Sequence, residues 1–361
     1  MSRVIALDTE WYYDSQINVG DLGAWNYFRR SDCYMVSVSD GADHWAGHPR
    51  DFRWESLEGA TLLAHNAGFD EEGYLALVEA GKAPRVAYAA WHCTADLSAY
   101  VCQRRSLADA VFAAFGETVS KDMRKYMRGK HWVDVVRNPD PDENGVSAAD
   151  RLLQYARDDA MHCWRLWEKW SPMWPDWERE LSLITRLQGR AGVTICVERL
   201  ERDIKLLERL IICCIDRLPW VEAGAKPASP IAIAQACRDA GIPPPPVKAR
   251  DAIAAEKWEE EYGSATPWLH ALKSMRKAKK MLASLQTMRD RLRPDGTLPF
   301  SLKYFGAHTG RWSGESGLNF QNFNRDSMLL HEDISGLGLV ATPETLASLR
   351  AQLSKNPDCL A

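Results

Sequence analysis

Four carboxylates in the first half of the chain stand in contexts that favour metal binding: Asp8 and Glu10 in LDTE, Asp70 in HNAGFD, and Asp159 in YARDD. Divalent cations such as Mg²⁺ prefer oxygen ligands, so carboxylates suit them better than Cys or His. Two such ions about 3.5–4 Å apart can activate a water and stabilise the leaving oxygen of a phosphodiester. The set therefore predicts a two-metal site for phosphodiester hydrolysis.

The first two acids follow a short apolar run, residues 4–7, that is typical of a buried strand. Side chains alternate between the two faces of a strand, so Asp8 and Glu10 are expected on one face near the strand end. An Asp-x-Glu triplet alone is expected about once by chance in a chain of 361 residues. The strand context is what makes this triplet informative.

The other two acids are predicted on helices. Asp70 lies at the start of a helical pattern at 69–80, where an aspartate could also serve only to offset the helix dipole. Asp159 lies in a helical pattern at 147–170, and Tyr155 precedes it by four residues. Residues four apart share a helix face, so the phenol and the carboxylate should point into the same site.

Together these motifs resemble the DEDD superfamily of 3′–5′ exonucleases over about the first 175 residues. Tyr155 resembles the tyrosine subclass, because the histidine subclass would need His at position 154, which is Gln. Asp158 adjoins Asp159, but only Asp159 keeps the Tyr-x-x-x-Asp spacing.

The resemblance implies an α/β, RNase H-like fold and two divalent ions, Mg²⁺ or Mn²⁺. In the family the first, second and fourth acids hold the metals, which implies that role for Asp8, Glu10 and Asp159. The third acid, here Asp70, contributes to the metal site largely through water. The tyrosine, here Tyr155, orients the attacking water.

Composition indicates an intracellular multidomain enzyme. The chain has 361 residues, of which 46% are hydrophobic, enough for two cores. Its net charge of −4 means that any nucleic-acid surface must come from clustered Lys and Arg. Nine cysteines without a C-x-x-C pair disfavour structural zinc and a disulfide framework. No apolar stretch reaches about 18 residues, so we expect a cytoplasmic protein.

A domain boundary is predicted near residue 175. Prolines at 172 and 175 must break or kink the preceding helix. Five tryptophans accumulate there, and their helical spacing predicts an aromatic seam between two domains: Trp164, Trp167, Trp170, Trp174 and Trp177. Apolar residues from Leu200 to Leu218 then recur with the period of a long amphipathic helix.

A basic cluster lies on the helix predicted at 268–292. Lys273, Arg276, Lys277 and Lys280 stand at positions i, i+3, i+4 and i+7 and so form one cationic face. Such a face is usually only solvated. Contact with nucleic-acid phosphates is the alternative, and the sequence that follows favours it.

Thr309-Gly310-Arg311, followed by Asn319-Phe320-Gln321-Asn322, resembles the entry to the palm of family A DNA polymerases. The resemblance implies contact with primer–template DNA through the four basic residues above and Arg311, Gln321 and Asn322. The resemblance to phage-type polymerases of this family implies a bacterial or phage-infected cell. Arg can pair with phosphate, and Asn and Gln can bind minor-groove acceptors. A glycine-containing turn and a polar loop without a ligand are the alternative interpretation.

The motifs of nucleotidyl transfer in that family do not follow. After Asn324 we find no D-Y-S-Q-I-E-type strand, fingers helix or H-D-E motif, and His331-Glu332-Asp333 has the wrong order. We therefore expect either a fragment or one part of a split polymerase whose palm and fingers lie on a second polypeptide. Residues 326–361 have no assigned role.

The sequence thus predicts an RNase H-like exonuclease domain at 1–175, followed at 176–325 by a mostly helical, thumb-like region and the start of a palm. The expected reaction is hydrolysis of a DNA 3′ end to 5′-mononucleotides, as in proofreading. One alternative is an RNase D-like exoribonuclease. The other is a non-catalytic DNA-binding or assembly subunit, which would have no need of four acids that repel one another without metal.

Overall fold

The structure is a computed structural model that describes residues 3–246, 251–263, 266–307, 309–315 and 318. Contacts divide the chain into two compact units. Of the described residues, those within 1–195 and 287–322 form the first unit, and those within 196–286 form the second. This division falls after residue 195 and not near 175, and the chain returns to the first unit from residue 287.

A five-stranded sheet forms the centre of the first unit. Its strands are β1 (Val4–Trp11), β2 (Cys33–Ser39), β3 (His44–Gly47), β4 (Thr61–Ala64) and β5 (Ala90–Cys93), in the order β3-β2-β1-β4-β5. β1 pairs antiparallel with β2 and parallel with β4, so the sheet is mixed. The register between β1 and β2 shifts between Glu10 and Trp11. Such irregularities re-aim side chains and are common next to active sites.

The helices of the first unit are listed in chain order: α1 (Val19–Arg30), α2 (Ala67–Glu79), α3 (Thr94–Cys102), α4 (Leu107–Phe115), α5 (Asp122–Tyr126), α6 (Trp132–Arg137), α7 (Ala148–Trp170) and α8 (Asp176–Ala191). α7 packs across β1, β2 and β3. Gly41, in the turn between β2 and β3, has a φ of 92°, and a Cβ there would lie 2.4 Å from the Trp164 ring. The glycine therefore allows α7 to approach the sheet.

The tryptophan cluster packs within the first unit. Trp170 and Trp174 are buried in one apolar cluster with residues of α3 and α4 and with Tyr304, whereas Trp177 is 63% exposed. α8, which follows the prolines, packs on β5. The prolines end a helix without ending the compact unit, which continues to residue 195.

The remaining strands of the first unit are short: β6 (Val193–Thr194), β7 (Thr297–Leu298), β8 (Leu302–Lys303) and β9 (Ser313–Gly314). β6 pairs with β7, and β8 pairs with β9.

The second unit is built from helices. They are α9 (Val197–Ile215), α10 (Pro230–Asp239), α11 (Ala252–Tyr262) and most of α12 (Pro267–Arg291). Its core contains Trp220 and Trp268, whose rings meet edge to face with centroids 5.1 Å apart. The amphipathic pattern predicted a helix here, and α9 buries Leu200, Ile204 and Leu207 along one side. Among the described helices of the chain, none is long and apolar enough to cross a membrane.

Candidate active site

Three of the four predicted acids meet between β1 and α7. Each of Asp8, Glu10 and Asp159 offers one carboxylate oxygen to a group in which all the oxygens lie within 4.8 Å of one another. Burial alternates along the end of β1, so Thr9 and Trp11 are buried while Asp8 and Glu10 occupy the other face. α7 crosses the strand and brings Asp159 to that face. The structure therefore joins residues about 150 positions apart in sequence into one acidic site.

Asp70 lies in the first turn of α2 and does not belong to that group of three oxygens. It is 2% exposed, and its Oδ1 accepts hydrogen bonds from the Thr9 backbone N–H (3.0 Å) and from the Thr9 hydroxyl (2.8 Å). Asp70 lines the same cleft as Asp8 and Glu10, and its charge adds to burial in raising the pKa values of both. Thr9, which is not among the predicted site residues, fixes Asp70 relative to Asp8 and Glu10.

Tyr155 lies one turn before Asp159 on α7, as the spacing predicts. Burial, followed by the charges of Glu10 and Asp159, raises the pKa of the Tyr155 phenol far above its ordinary value. The phenol therefore stays protonated. Its hydrogen bond to Asp159 acts to lower the pKa of that carboxyl. A neutral donor is thus held beside the acids.

The acids open into a cleft of about 500 Å³. Lys121 and Arg124, near the start of α5, line it together with the five predicted residues. The charge of Arg124 lowers the pKa values of Asp8, Glu10 and Asp159. Neither basic residue is among the predicted site residues, although the run KDMRKYMRGK at 121–130 is visibly basic.

The site favours bound cations electrostatically. Burial and neighbouring acids raise the pKa values of Asp8 and Glu10 well above their ordinary range. Burial, opposed by the bonds from Thr9, raises the pKa of Asp70 to about 7. Burial and the charge of Asp8 raise the pKa of Asp159 to about 8. Without a cation, protons must neutralise part of this charge.

Two buried carboxylate oxygens show that the acids suit a divalent metal. Asp8 Oδ2 and Asp159 Oδ1 are buried and have no hydrogen-bond partner among the described residues. An orphaned buried oxygen is costly unless something satisfies it. The donors are all carboxylates, which Mg²⁺ and Mn²⁺ prefer. Asp8, Glu10 and Asp159 therefore fit the metal site implied by the sequence, with Asp70 beside them.

His65 also lines the cleft but is already bonded at both ring nitrogens. Nδ1 lies 3.0 Å from the Thr94 hydroxyl, and Nε2 lies 2.8 Å from the Arg105 carbonyl. Burial lowers the pKa of this imidazole to about 4. A neutral, fully bonded ring cannot easily act as a general base.

None of the described residues that were predicted to contact DNA lines the carboxylate cleft. On α12, Arg276, Lys277 and Lys280 are exposed, but Lys273 is half-buried and pairs with Glu259. Arg311 is exposed in the loop between β8 and β9. Gln321 and Asn322 lie outside the described residues. The proposed cationic face of α12 therefore has three exposed members instead of four.

One comparison relates this architecture to a solved structure. The chain is similar to the POL domain of Pol1 from M. smegmatis, determined in complex with DNA primer-template and dNTP, with a TM-score of 0.54 and 15% sequence identity. The fold is polymerase-like. The match covers 90% of this chain and 52% of that one, so the chain spans about half the length of the structure it matches. No protein-family model matches the chain, and no curated protein does.

Proposed function

We propose that this polypeptide is a metal-dependent 3′–5′ exonuclease acting on DNA, with a helical second unit that grips the duplex. The observation that carries the proposal is the meeting of Asp8, Glu10 and Asp159 within 4.8 Å, with two of their buried oxygens left unsatisfied. The strand order β3-β2-β1-β4-β5 supports an RNase H-like domain. Tyr155, whose phenol is hydrogen-bonded to Asp159 one turn later on α7, supports the tyrosine subclass. The polymerase-like fold supports a proofreading role on DNA over the processing of RNA.

Each side chain has a distinct part in this proposal. Asp8, Glu10 and Asp159 would hold the ions, and Asp70, fixed by Thr9, would complete the site. When bound, two divalent ions would supply Lewis acidity and neutralise charge at the phosphodiester. Tyr155 offers a hydroxyl that can orient the attacking water. Lys121 and Arg124, which line the same cleft, can attract the phosphate.

The deciding experiment is degradation of a 5′-labelled single DNA strand by the purified chain with Mg²⁺, with Mn²⁺ and with EDTA. We expect a ladder of products shortened from the 3′ end with either metal and none with EDTA. A matched RNA strand separates the alternatives, because the 2′-hydroxyl is what distinguishes the two substrates at a site. Faster degradation of RNA would refute the DNA assignment.

Asp8→Asn and Asp159→Asn should each lower turnover at least about tenfold, which corresponds to ~1.4 kcal/mol of transition-state stabilisation. Asp158→Asn is the matched control, because Asp158 adjoins Asp159 and accepts a hydrogen bond from Gln154 (2.8 Å). It should retain near-wild-type turnover. If neither Asp8→Asn nor Asp159→Asn reduces degradation, the activity does not come from this site.

A further inference from the structure

Five arginines surround a second cleft in the first unit: Arg105, Arg186, Arg190, Arg291 and Arg293. Arg186 and Arg190 lie on α8, and Arg291 is the last residue of α12. Arg293 follows α12 by two residues, and Arg105 precedes α4 by two. Three carboxylates, Glu72, Asp96 and Glu315, line the same cleft. Basic groups therefore outnumber acids in the lining, although the whole chain has a net charge of −4.

Ion pairs hold several of these arginines in place. Arg186 Nε lies 2.9 Å from Glu71 Oε2, and Arg190 Nη1 lies 3.0 Å from Glu71 Oε1. Arg105 Nη2 lies 2.7 Å from Asp96 Oδ1. The guanidinium groups are thus fixed before any ligand binds, which lowers the entropic cost of binding one.

Some guanidinium nitrogens in this cleft remain without an acceptor. Arg186 Nη1 and Arg293 Nε are buried and have no hydrogen-bond partner among the described residues. Burial lowers the pKa of the Arg293 guanidinium, opposed by the charges of Glu72 and Asp295, neither of which forms an ion pair with it among the described residues. Buried donors without acceptors are costly, and an anion would satisfy them.

The arginine cleft adjoins the carboxylate cleft. Val19, Asn66 and Phe69 line both. Asn66, between β4 and α2, is exposed and has a left-handed backbone with a φ of 88°. Its side chain makes no capping bond to α2. Strained backbone in a non-glycine residue often marks a functional site. One continuous surface therefore leads from the acids to the arginines.

We infer that the arginine cleft binds backbone phosphates of the nucleic-acid strand upstream of the bond cleaved at Asp8, Glu10 and Asp159. This inference rests on the proposed function. A strand whose last phosphodiester lies at the acids can continue past Asn66, so that the next phosphates meet Arg293 and the spare nitrogen of Arg186. Phosphate contacts of this kind position a strand without reading its sequence.

The test compares kcat/KM for degradation of a DNA dinucleotide with kcat/KM for a strand of about twelve nucleotides. The longer strand can reach the arginines, since single-strand sites commonly span about 4–16 nucleotides. Arg293→Gln removes the cation, while Ser301→Asp leaves every arginine in place and adds an opposing charge to the cleft lining. Arg50→Gln is the matched control, because the Arg50 side chain is 75% exposed and lines neither cleft.

For both cleft variants, kcat/KM on the long strand should fall at least about fivefold more than on the dinucleotide. Arg293→Gln loses a bond to a charged group, and Ser301→Asp places a negative charge that repels the phosphate. Arg50→Gln should leave the ratio unchanged. An equal loss on both substrates, or no loss in either variant, would overturn the inference. If Arg293→Gln does not fold, Ser301→Asp decides by the same ratio.

Binding of the same strands to an Asp8→Asn protein separates this inference from the proposed function. Arg293→Gln added to that background should flatten the slope of log K against log[salt] by about 0.7 for one single-strand phosphate contact. DNA and RNA strands are both measured. If the wild-type chain degrades neither the DNA strand nor the RNA strand, the exonuclease proposal fails. If Arg293→Gln leaves the salt slope unchanged, the inference that the arginine cleft binds phosphates is refuted, whatever the degradation assay shows.

Discussion

The hydrogen bonds from Thr9 to Asp70 indicate that Thr9, which is not one of the acids, controls the metal affinity of the site. Thr9→Val keeps the shape of the side chain and removes the hydroxyl that donates to Asp70 Oδ1 at 2.8 Å. It leaves the backbone donor at 3.0 Å. It also removes the acceptor of Trp11 Nε1, which lies 3.1 Å from the Thr9 hydroxyl. Both Thr9 and Asp70 are buried, so water does not readily replace the lost bond.

The size of the effect follows from the pKa of Asp70. A hydrogen bond to a charged group contributes about 1.5 kcal/mol at the low end of measured values. Its loss should raise the pKa of Asp70 from about 7 to about 8, since one pH unit is about 1.4 kcal/mol. At pH 7 the ionised fraction then falls from about a half to about a tenth, whereas at pH 9 it stays at about nine-tenths or more.

Because protons and metal compete for Asp70, Thr9→Val should need about fivefold more Mg²⁺ than wild type for half-maximal degradation at pH 7. The two proteins should need nearly equal Mg²⁺ at pH 9. The assay is a Mg²⁺ titration of single-strand degradation at each pH, with the variant compared with wild type under the same conditions.

Thr9→Ser is the control, because it retains the hydroxyl, and it should titrate like wild type. Equal Mg²⁺ midpoints for Thr9→Val and wild type at pH 7 would refute the role given to this hydroxyl. A deficit of the same size at pH 7 and pH 9 would also refute it, since that result indicates misplacement of Asp70 and not a change in its pKa.

Three further predictions concern other parts of the molecule. Tyr155→Phe should lower single-turnover degradation by up to about 10²-fold, and by less than Asp8→Asn lowers it in the same assay, because it removes only an orienting hydroxyl; an unchanged rate would contradict that role. In EDTA, the free energy of unfolding measured in urea should fall as pH rises from about 6.5 through about 8. Burial raises the pKa of Asp70 to about 7 and of Asp159 to about 8, so the folded state binds protons that the unfolded state has released. The opposite effect of the lowered pKa of His65 falls mostly below about pH 6.5. Mg²⁺ should offset that loss at the alkaline end, and a rise in stability across this range without metal would show that the acids are not buried together. Replacing Arg276 and Lys277 with Gln should flatten the slope of log K against log[salt] for primer–template binding by up to ~1.8. An unaltered slope would show that this face of α12 contacts only solvent.

Local sequence determined the elements that carry the site. The apolar run and the alternation after it predicted the strand that places Asp8 and Glu10 on one face, and β1 extends from Val4 to Trp11. Helical spacing placed Tyr155 and Asp159 one turn apart, and α7 contains both. These features depend on periodicity within a few residues, which a sequence displays directly.

Tertiary structure alone decided which elements meet. The bonds between Thr9 and Asp70 join positions 61 apart, and the ion pair between Arg186 and Glu71 joins positions 115 apart. Periodicity states which face of a helix is buried but not what covers it. The prolines near residue 175 likewise end a helix, yet α8 beyond them packs on β5. Where the compact unit ends is decided by which apolar faces find partners, and that depends on the whole chain.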